Sequence, residues 1–453
     1  MGNQRKGESQ SQHGIFYVVS CECMVFTFAD NNFWSSTEYS TVNAWNQNFN
    51  SGNPGNQNNN TKTNGNYVRA FRRWNQVMNC DLTVSELFQA YYDCRKTKRN
   101  TWNAIRFEQH LERNLMDLYY DLIENRYQPG GSIMFVVTRP KAREVWAANF
   151  RDRVVHHIMY NRYSPRFYRS FIHDSYACIP GKGTLHAAER VQSFMRSATE
   201  NHTTDAWFMK ADVANFFVSI DKSILDGLLA KKITDPWWLR LTRTILHQDP
   251  TIGVFIKSKS DMLKKVPAHK SLLNAPKRFG LPIGNLSSQF FANVYLDKLD
   301  QYAKHELKLT YYARYVDDIV AIGKNGSELH EKYEKMAKFV SAELGLKLHP
   351  HKKEINKVEY GVNFVGYIIK PHCKYVRRST INNMYEKTKL CEDFETLRAT
   401  TNSYLGMLRH ANAYKERRRL AAHLSRRGAW FNGKLTKITK LGGTPCCTSL
   451  LHR

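Results

Sequence analysis

The chain contains 453 residues, of which 42% are hydrophobic and 24% charged, a composition typical of a globular protein. Lysine and arginine number 67 against 40 acidic residues, and the formal net charge of +27 favours nucleic acid or an anionic membrane surface as a partner. No run of about 18 apolar residues occurs, which excludes a membrane-spanning helix.

The nine cysteines are scattered and form no Cys-x-x-Cys pair. This pattern argues against a disulfide scaffold and favours a reducing, cytoplasmic location.

The first part of the chain is strongly polar. Residues 31–66 contain thirteen asparagines among 36 residues and a single acid, Glu38. Such a segment has too little apolar surface to offset the entropy lost on ordering. We therefore predict that residues 1–77 form a disordered, asparagine-rich leader.

From about residue 81, the composition is that of an ordinary folded protein. Apolar residues recur at helical spacing between residues 83 and 125, and residues 133–138 have the composition of a strand. Between the predicted helices lies a basic cluster that contains Arg95, Lys96 and Lys98. Two interpretations of this cluster stay open, a solvated turn and a set of contacts with nucleic-acid phosphates.

Three carboxylates lie at the ends of predicted strands. Residues 309–323 hold two β-prone runs that flank Asp317 and Asp318, which predicts a hairpin with both acids at its tip. Residues 207–212 form a further apolar run that ends at Asp212, and a helix can start at Phe216. A two-metal site needs such a set, because two Mg²⁺ ions roughly 3.5 to 4 Å apart must be held by few carboxylates while substrate phosphates also bind. Without metal the acids would repel one another, so we interpret all three as catalytic metal ligands for phosphoryl transfer on nucleic acid.

The same residues resemble a known family. Tyr315-Val316-Asp317-Asp318 is similar to the Tyr-x-Asp-Asp motif of reverse transcriptases, and residues 210–217 resemble the first carboxylate motif of that family. Residues 151–157, 181–184 and 364–367 resemble other blocks of the family in the same order. The resemblance implies an α+β right-hand polymerase fold with fingers, a palm that contains an antiparallel sheet, and a helical thumb. It places fingers and palm at residues 78–375 and a basic helical thumb with a C-terminal tail at residues 376–453.

Residues 280–289 indicate which group of reverse transcriptases the chain resembles. Most reverse transcriptases have Gln before the glycine of this segment and often Pro after its serine, whereas this chain has Ile283 before Gly284, and Gln289. That pattern is similar to the reverse transcriptases of diversity-generating retroelements, within the group II intron-like bacterial superfamily. The resemblance implies a bacterial or phage-encoded RNA-directed DNA polymerase that copies a template-repeat RNA into adenine-mutagenised cDNA and so diversifies a target gene by mutagenic retrohoming. Group II intron-like, retron and abortive-infection reverse transcriptases without mutagenic homing stay open as alternatives.

Motif position implies further roles by resemblance. Arg143 and Arg151 are expected to contact the triphosphate and the fingers, and Lys352 is expected to be the acid for the leaving group. Phe216 is the expected ribose gate, with Phe217 as the alternative, and a core role for the pair is equally open. The remaining expected substrate contacts are Ile283, Gly284, Gln289 and Tyr315.

The predicted thumb carries a dense positive charge. Residues 380–453 hold fourteen lysines and arginines against five acids. We interpret Arg409, Arg417 and Arg418 as contacts to a nucleic-acid backbone, and a solvated charged face is the alternative.

The resemblance gives the leader a second interpretation. Asparagine codons are rich in adenine, so a template repeat translated in frame would be asparagine-rich. We hypothesise that residues 30–71 are such a translation and that the functional start is Met78. The partners implied by the family are template-repeat RNA and its cDNA, dNTPs, two Mg²⁺ ions and a pentameric accessory variability protein, without a membrane.

Overall fold

The computed structural model describes residues 80–96, 98–138 and 141–441, together with five strands of backbone within residues 15–61. Contacts divide the chain into two units, Met1–Met78 and Asn79–Arg453. Most of the residues assigned to the translated template repeat lie outside the described residues. So do Met78, the hypothesised functional start of the protein, and the tail after residue 441.

The described strands of the first unit form two antiparallel sheets. β1 (Ile15–Tyr17) pairs with β2 (Val25–Thr27). In the other sheet, β4 (Asn43–Asn48) lies between β3 (Asn32–Glu38) and β5 (Gln57–Thr61).

The second unit mixes helices with short strands. Its α-helices are α1 (Val84–Arg95), α2 (Trp102–Glu108), α3 (Leu111–Ile123), α4 (Phe150–Tyr168), α5 (Thr184–Ala198), α6 (Phe216–Ser219), α7 (Lys222–Ala230), α8 (Pro236–His247), α9 (Ser260–Leu263), α10 (Leu286–Gln301), α11 (Gly326–Leu344), α12 (Arg378–Leu390), α13 (Phe394–Leu408) and α14 (Tyr414–Ser425). Its strands are β6 (Ile133–Val137), β7 (Arg143–Ala147), β8 (Trp207–Asp212), β9 (Phe255–Ile256), β10 (Tyr311–Tyr315), β11 (Asp318–Gly323), β12 (Glu354–Lys357), β13 (Val362–Phe364), β14 (Tyr367–Ile369), β15 (Lys374–Val376), β16 (Ala429–Phe431) and β17 (Ile438–Leu441).

Helices α1 to α4 pack into one large core, and the sheet β7-β6-β9 packs into a small separate core; we call these elements the fingers. Helix α1 starts at a capping box, because the Thr83 hydroxyl accepts a hydrogen bond from the Glu86 amide (3.2 Å) and the Glu86 carboxylate accepts one from the Thr83 amide (3.0 Å). The helices predicted between residues 83 and 125 and the strand predicted from residue 133 are confirmed.

The palm is the antiparallel sheet β10-β11-β8-β12. Both of its faces are covered, because alternate residues of β8 and β11 enter different cores. The first core receives Met209, Ala211, Ile319 and Ala321. The second core receives Phe208, Val320 and Ile322. Burial on both faces explains why these strands are almost uninterrupted apolar runs.

The thumb follows the small sheet β13-β14-β15 and consists of helices α12 to α14 with the hairpin β16-β17. Its apolar residues share the second core with α5 and the palm. The predicted α+β fold, with an antiparallel palm sheet and a helical thumb, is confirmed. Among the described residues, no helix combines the length and the apolar character needed to cross a membrane.

Candidate active site

A tight hairpin presents two of the three predicted carboxylates. Tyr315 on β10 pairs with Asp318 on β11, so Val316 and Asp317 form a two-residue turn. Val316 has φ +56°, in the left-handed region that two-residue hairpin turns require and that β-branched residues rarely adopt. The turn therefore holds an unfavourable backbone conformation next to both acids.

The third carboxylate lies beside this turn. Asp212 ends β8 and is paired in register with Asp318, and the Val213 amide donates a hydrogen bond to the Asp317 carbonyl (3.2 Å). The structure thus brings Asp212, Asp317 and Asp318 together at one end of the palm sheet.

The two hairpin acids are partly shielded from water and lie among other negative charges. Burial, followed by the charge of Asp212, raises the pKa of Asp317. Burial, together with repulsion by Asp317 and Asp212, raises the pKa of Asp318 to about 6, although the nearby Lys210 ammonium opposes the shift. The Asp318 Oδ1 atom is buried and accepts no hydrogen bond from the described residues. An anionic cluster of this kind favours the binding of a cation.

Two lysines supply positive charge to the cluster. Lys352 Nζ donates a hydrogen bond to Asp212 Oδ1 at 2.6 Å, from a short 3₁₀ turn, Pro350–Lys352. That turn is anchored on the same strand, because the His349 amide donates to the Asp212 carbonyl (2.7 Å). Lys210 Nζ lies 3.4 Å from Asp318 Oδ1. Ammonium groups therefore neutralise part of the carboxylate charge here.

The donor set consists of oxygen atoms only, which is the ligand type that Mg²⁺ prefers. Across the described residues, no three His, Cys, Asp or Glu side chains are already placed to hold a metal ion. The pairing of Asp212 with Lys352 and the position of Lys210 beside Asp318 are consistent with that finding. The Asp318 oxygen, which accepts no hydrogen bond from the described residues, and the raised pKa values of the hairpin acids nevertheless fit a divalent cation at this position.

The two predicted triphosphate arginines occupy different surroundings. Arg143 starts β7 with an exposed side chain, and its charge partly offsets the effects of burial and Asp212 on the pKa of Asp317. Arg151 instead forms an ion pair with Asp121 on α3 (2.5 Å) and lies over the Tyr127 ring. Arg143 therefore lies in the field of the carboxylates, whereas Arg151 ties the fingers helices together.

The segment that contains Ile283 packs on the fingers sheet. The Ile283 carbonyl accepts a hydrogen bond from the Trp146 amide of β7 (2.7 Å), and the Ile283 side chain is half-buried. Gly284 has φ +121°, and a Cβ atom there would lie 2.8 Å from Val145 Cγ1. Both the positive φ and the close contact thus require glycine at position 284. Gln289 is exposed on the first turns of α10.

The aromatic residues near the aspartates divide into buried and accessible ones. Phe216 is 3% exposed and belongs to the core, whereas Phe217 is half-buried, with its ring centroid 5.3 Å from that of Phe216. Phe216 thus has the core environment that was left open as an alternative, and Phe217 is the more accessible of the two rings. Tyr315 is half-buried against the second core, and burial raises its pKa.

Most of the basic residues predicted to bind nucleic acid have partners within the protein. Arg95 is paired with Glu108 and Lys96 with Asp93, both at 2.6 Å, while burial lowers the pKa of Lys98. The thumb arginines differ from one another. Arg409 Nε donates to the His410 ring (2.9 Å), Arg417 donates to the Lys434 carbonyl (2.6 Å), and Arg418 is exposed.

The family model of the reverse transcriptase (RNA-dependent DNA polymerase) matches residues 139–369, about half of the chain. The chain belongs to the reverse transcriptase family. The match includes the palm sheet and all three aspartates.

The individual proteins that this reverse transcriptase resembles are only distantly similar to it in sequence. It is 21% identical over 301 residues to the putative COX1/OXI3 intron 2 protein of Saccharomyces cerevisiae, an alignment that covers 54% of this chain and 32% of the yeast protein. The chain therefore spans about a third of that relative's length. Telomerase from Candida albicans, solved with a fragment of telomeric RNA, is 10% identical with a TM-score of 0.42, covering 66% of this chain and 55% of the telomerase. Apo telomerase from Candida tropicalis is 12% identical with a TM-score of 0.44, covering 66% and 59%.

Two residues near the aspartates were missed at the level of sequence. Lys210 lies two residues before Asp212 on β8, so the period of the strand places both on one face. Arg377 precedes α12, and its Nε is buried without a hydrogen-bond partner among the described residues. Burial lowers the pKa of Arg377, and the charge of Asp318 opposes this shift. Lys210 could have been found from strand periodicity, whereas Arg377 carries no local signal.

Proposed function

We propose that this member of the reverse transcriptase family is an active RNA-directed DNA polymerase. The observation that carries the proposal is the placement of Asp212 beside the Asp317-Asp318 turn at the end of the palm sheet. The raised pKa values of the hairpin acids support it, because such a cluster is stabilised by a bound cation.

The aspartates, an arginine and a lysine have separate roles in nucleotide transfer. Mg²⁺ held by Asp212, Asp317 and Asp318 would activate the primer 3′-hydroxyl and stabilise the leaving pyrophosphate. Arg143, exposed beside the carboxylates, binds and orients the triphosphate. Lys352 Nζ donates a hydrogen bond to Asp212 and is the group placed to protonate the pyrophosphate.

The test is primer extension on an RNA template with dNTPs and Mg²⁺. Asp317→Asn and Asp318→Asn each remove a charge from the cluster but leave the basic surface unchanged. We expect both variants to lose cDNA synthesis and to keep RNA affinity within about threefold. Undiminished synthesis by either variant would refute the assignment of the site.

At a finer level, we propose that the enzyme copies a template-repeat RNA into adenine-mutagenised cDNA. Ile283 supports this proposal, because its half-buried apolar side chain stands where most of the family has a hydrogen-bonding Gln. Loss of one polar contact relaxes discrimination by roughly 1 to 2 kcal/mol, or about tenfold in misincorporation.

The variant Ile283→Gln tests this finer proposal. Sequencing of cDNA from both enzymes on one adenine-rich template should show fewer errors opposite adenine in the Gln variant, with polymerisation retained. An unchanged adenine error rate removes Ile283 from the mechanism. In the flanking DNA, a second near-identical repeat that differs at adenines would support the retroelement directly.

Two further parts of the proposal concern the leader and the accessory protein. If residues 30–71 are a translated template repeat, tryptic peptides from this range should be missing from the natively expressed protein, and their presence at full stoichiometry ends the hypothesis. Since this chain carries +27 charges, we expect a basic accessory pentamer to associate through template RNA. Equal co-purification with and without nuclease treatment would contradict RNA bridging.

The second candidate function is that of an intron-type reverse transcriptase without mutagenic homing. It is favoured by the similarity to the yeast intron 2 protein. The error spectrum separates the candidates, because an intron-type enzyme should show no excess of errors opposite adenine.

A further inference from the structure

Arg314 is a buried cation in the strand that leads into the catalytic turn. Its side chain is 1% exposed and contacts Asp300 on α10, whose side chain is fully buried. Arg314 Nε donates hydrogen bonds to both Asp300 oxygens (2.8 and 2.9 Å), and Nη2 donates to Asp300 Oδ2 (2.7 Å). The Tyr312 hydroxyl donates to Asp300 Oδ1 (2.8 Å). The ion pair is thus desolvated and fully hydrogen-bonded.

The same guanidinium extends to the turn itself. Arg314 Nη1 donates a hydrogen bond to the Val316 carbonyl at 2.9 Å and a longer one to Asn293 Oδ1 at 3.3 Å. Nη2 also donates to Ser175 Oγ at 3.1 Å. One side chain therefore joins α10, the segment before α5 and the backbone of the catalytic hairpin.

The contacted carbonyl belongs to the residue with the least favourable backbone in the hairpin. Val316 has φ +56°, which a β-branched residue keeps only where its surroundings impose it. A planar guanidinium can span a carboxylate and a carbonyl at once, whereas a lysine ammonium is a single point of charge. The chemistry of Arg314 thus matches the task of holding this turn.

We propose that Arg314, oriented by Asp300, is a positioning residue that fixes the Val316 turn and so keeps Asp317 and Asp318 in place. Its side chain is 1% exposed, so Arg314 acts through the backbone of the turn. The inference rests on the proposed function of the aspartates as the polymerase site.

The main variant is Arg314→Lys, with Arg243→Lys as the matched control. Arg243 makes a similar two-bond contact with Asp226 (2.8 and 2.9 Å), but at the surface. We expect Arg314→Lys to lower kcat for primer extension at least about 30-fold and to change KM for dNTP and RNA affinity less than about threefold. The control should leave all three unchanged.

Hydrogen exchange supplies a readout that does not depend on activity. In Arg314→Lys, without Mg²⁺ or substrate, the peptide that covers residues 310–323 should exchange faster, while peptides of α4 should not change. Unaltered exchange across residues 310–323 in a folded variant overturns the proposal. Faster exchange of this peptide, combined with a wild-type enzyme that never extends primers, would retain the positioning role and refute the proposed polymerase function.

A second substitution separates positioning from general stability. Glycine adopts positive φ without steric cost, so Val316→Gly makes the turn less dependent on Arg314. We expect the double variant to regain at least about fivefold in kcat over Arg314→Lys alone. A buried ion pair that only stabilises the fold predicts no such recovery, and its absence overturns the proposal.

Should Arg314→Lys not fold, Tyr312→Phe gives a milder test, because it removes one hydrogen bond to Asp300 and keeps the volume. It should lower kcat about threefold and accelerate exchange of the hairpin peptide. Its control is Tyr295→Phe, which removes another buried phenol, one that donates to the Leu344 carbonyl. Tyr312→Phe with unchanged kcat and exchange would overturn the proposal.

Discussion

Truncation of the two phenylalanines that follow Asp212 should affect two different properties of the protein. Phe216 is 3% exposed within the core, and Phe217 is half-buried at its edge. Phe217 is the more exposed of the two rings, so we expect it to be the one that meets the sugar of a nucleotide bound at the aspartates. We therefore predict that Phe216→Ala damages stability and that Phe217→Ala damages sugar selection.

The magnitudes follow from burial. Truncation of a fully buried phenylalanine lowers the free energy of unfolding by about 3 to 5 kcal/mol, which we expect for Phe216→Ala. The half-buried ring of Phe217 should cost roughly half as much on truncation. Exclusion of one small group from a pocket is worth about 1 to 3 kcal/mol, so Phe217→Ala should reduce the preference for dNTP over rNTP about 10- to 200-fold.

Two measurements decide the matter. Urea unfolding gives the stability of each variant, and single-nucleotide primer extension gives the ratio of kcat/KM for dNTP and rNTP. Phe217→Tyr serves as the control that keeps the ring and should keep the preference. The reasoning fails if the ratio is unchanged in Phe217→Ala, or if folded Phe216→Ala is the variant in which it falls.

Three more predictions concern single residues. Gly284→Ala should lower the free energy of unfolding by about 1 to 3 kcal/mol, because of its positive φ and the close fingers sheet, whereas Gly406→Ala, in an open helical position, should not destabilise the protein; urea unfolding compares them. Burial lowers the pKa of His156 to about 3, so below its unfolded value of about 6.5 only the unfolded chain binds the proton. Stability should fall as the pH drops from about 6.5 toward 3, and unfolding of His156→Gln between these pH values should show a slope smaller by about 1.4 kcal/mol per pH unit. Lys352→Met removes the ammonium from Asp212, so we expect tighter Mg²⁺ binding in a titration but about 100-fold lower kcat, and an unchanged kcat would exclude the lysine as the acid.

The palm could be predicted because its signals are local. Strand β8 is a short apolar run that ends at Asp212, and β10 and β11 are short apolar runs that meet at the hairpin acids. Burial on both faces of the sheet makes such runs easy to recognise. Asp212 and Asp318 then meet because antiparallel pairing places the ends of β8 and β11 in register.

The partners of the long basic side chains could not be predicted, because they depend on which helices pack together. Arg151 is found with Asp121, and Arg95 with Glu108, each across a helix boundary that no sequence period specifies. Phe216 and Phe217 are adjacent, so only the orientation of the four-residue helix α6 decides which ring is buried. The contacts of Arg314, at the centre of the site, could not be predicted for the same reason. Its neighbour Tyr315 carries the family motif, yet the link from Arg314 to Asp300 and the Val316 carbonyl exists only once α10 is packed against the palm.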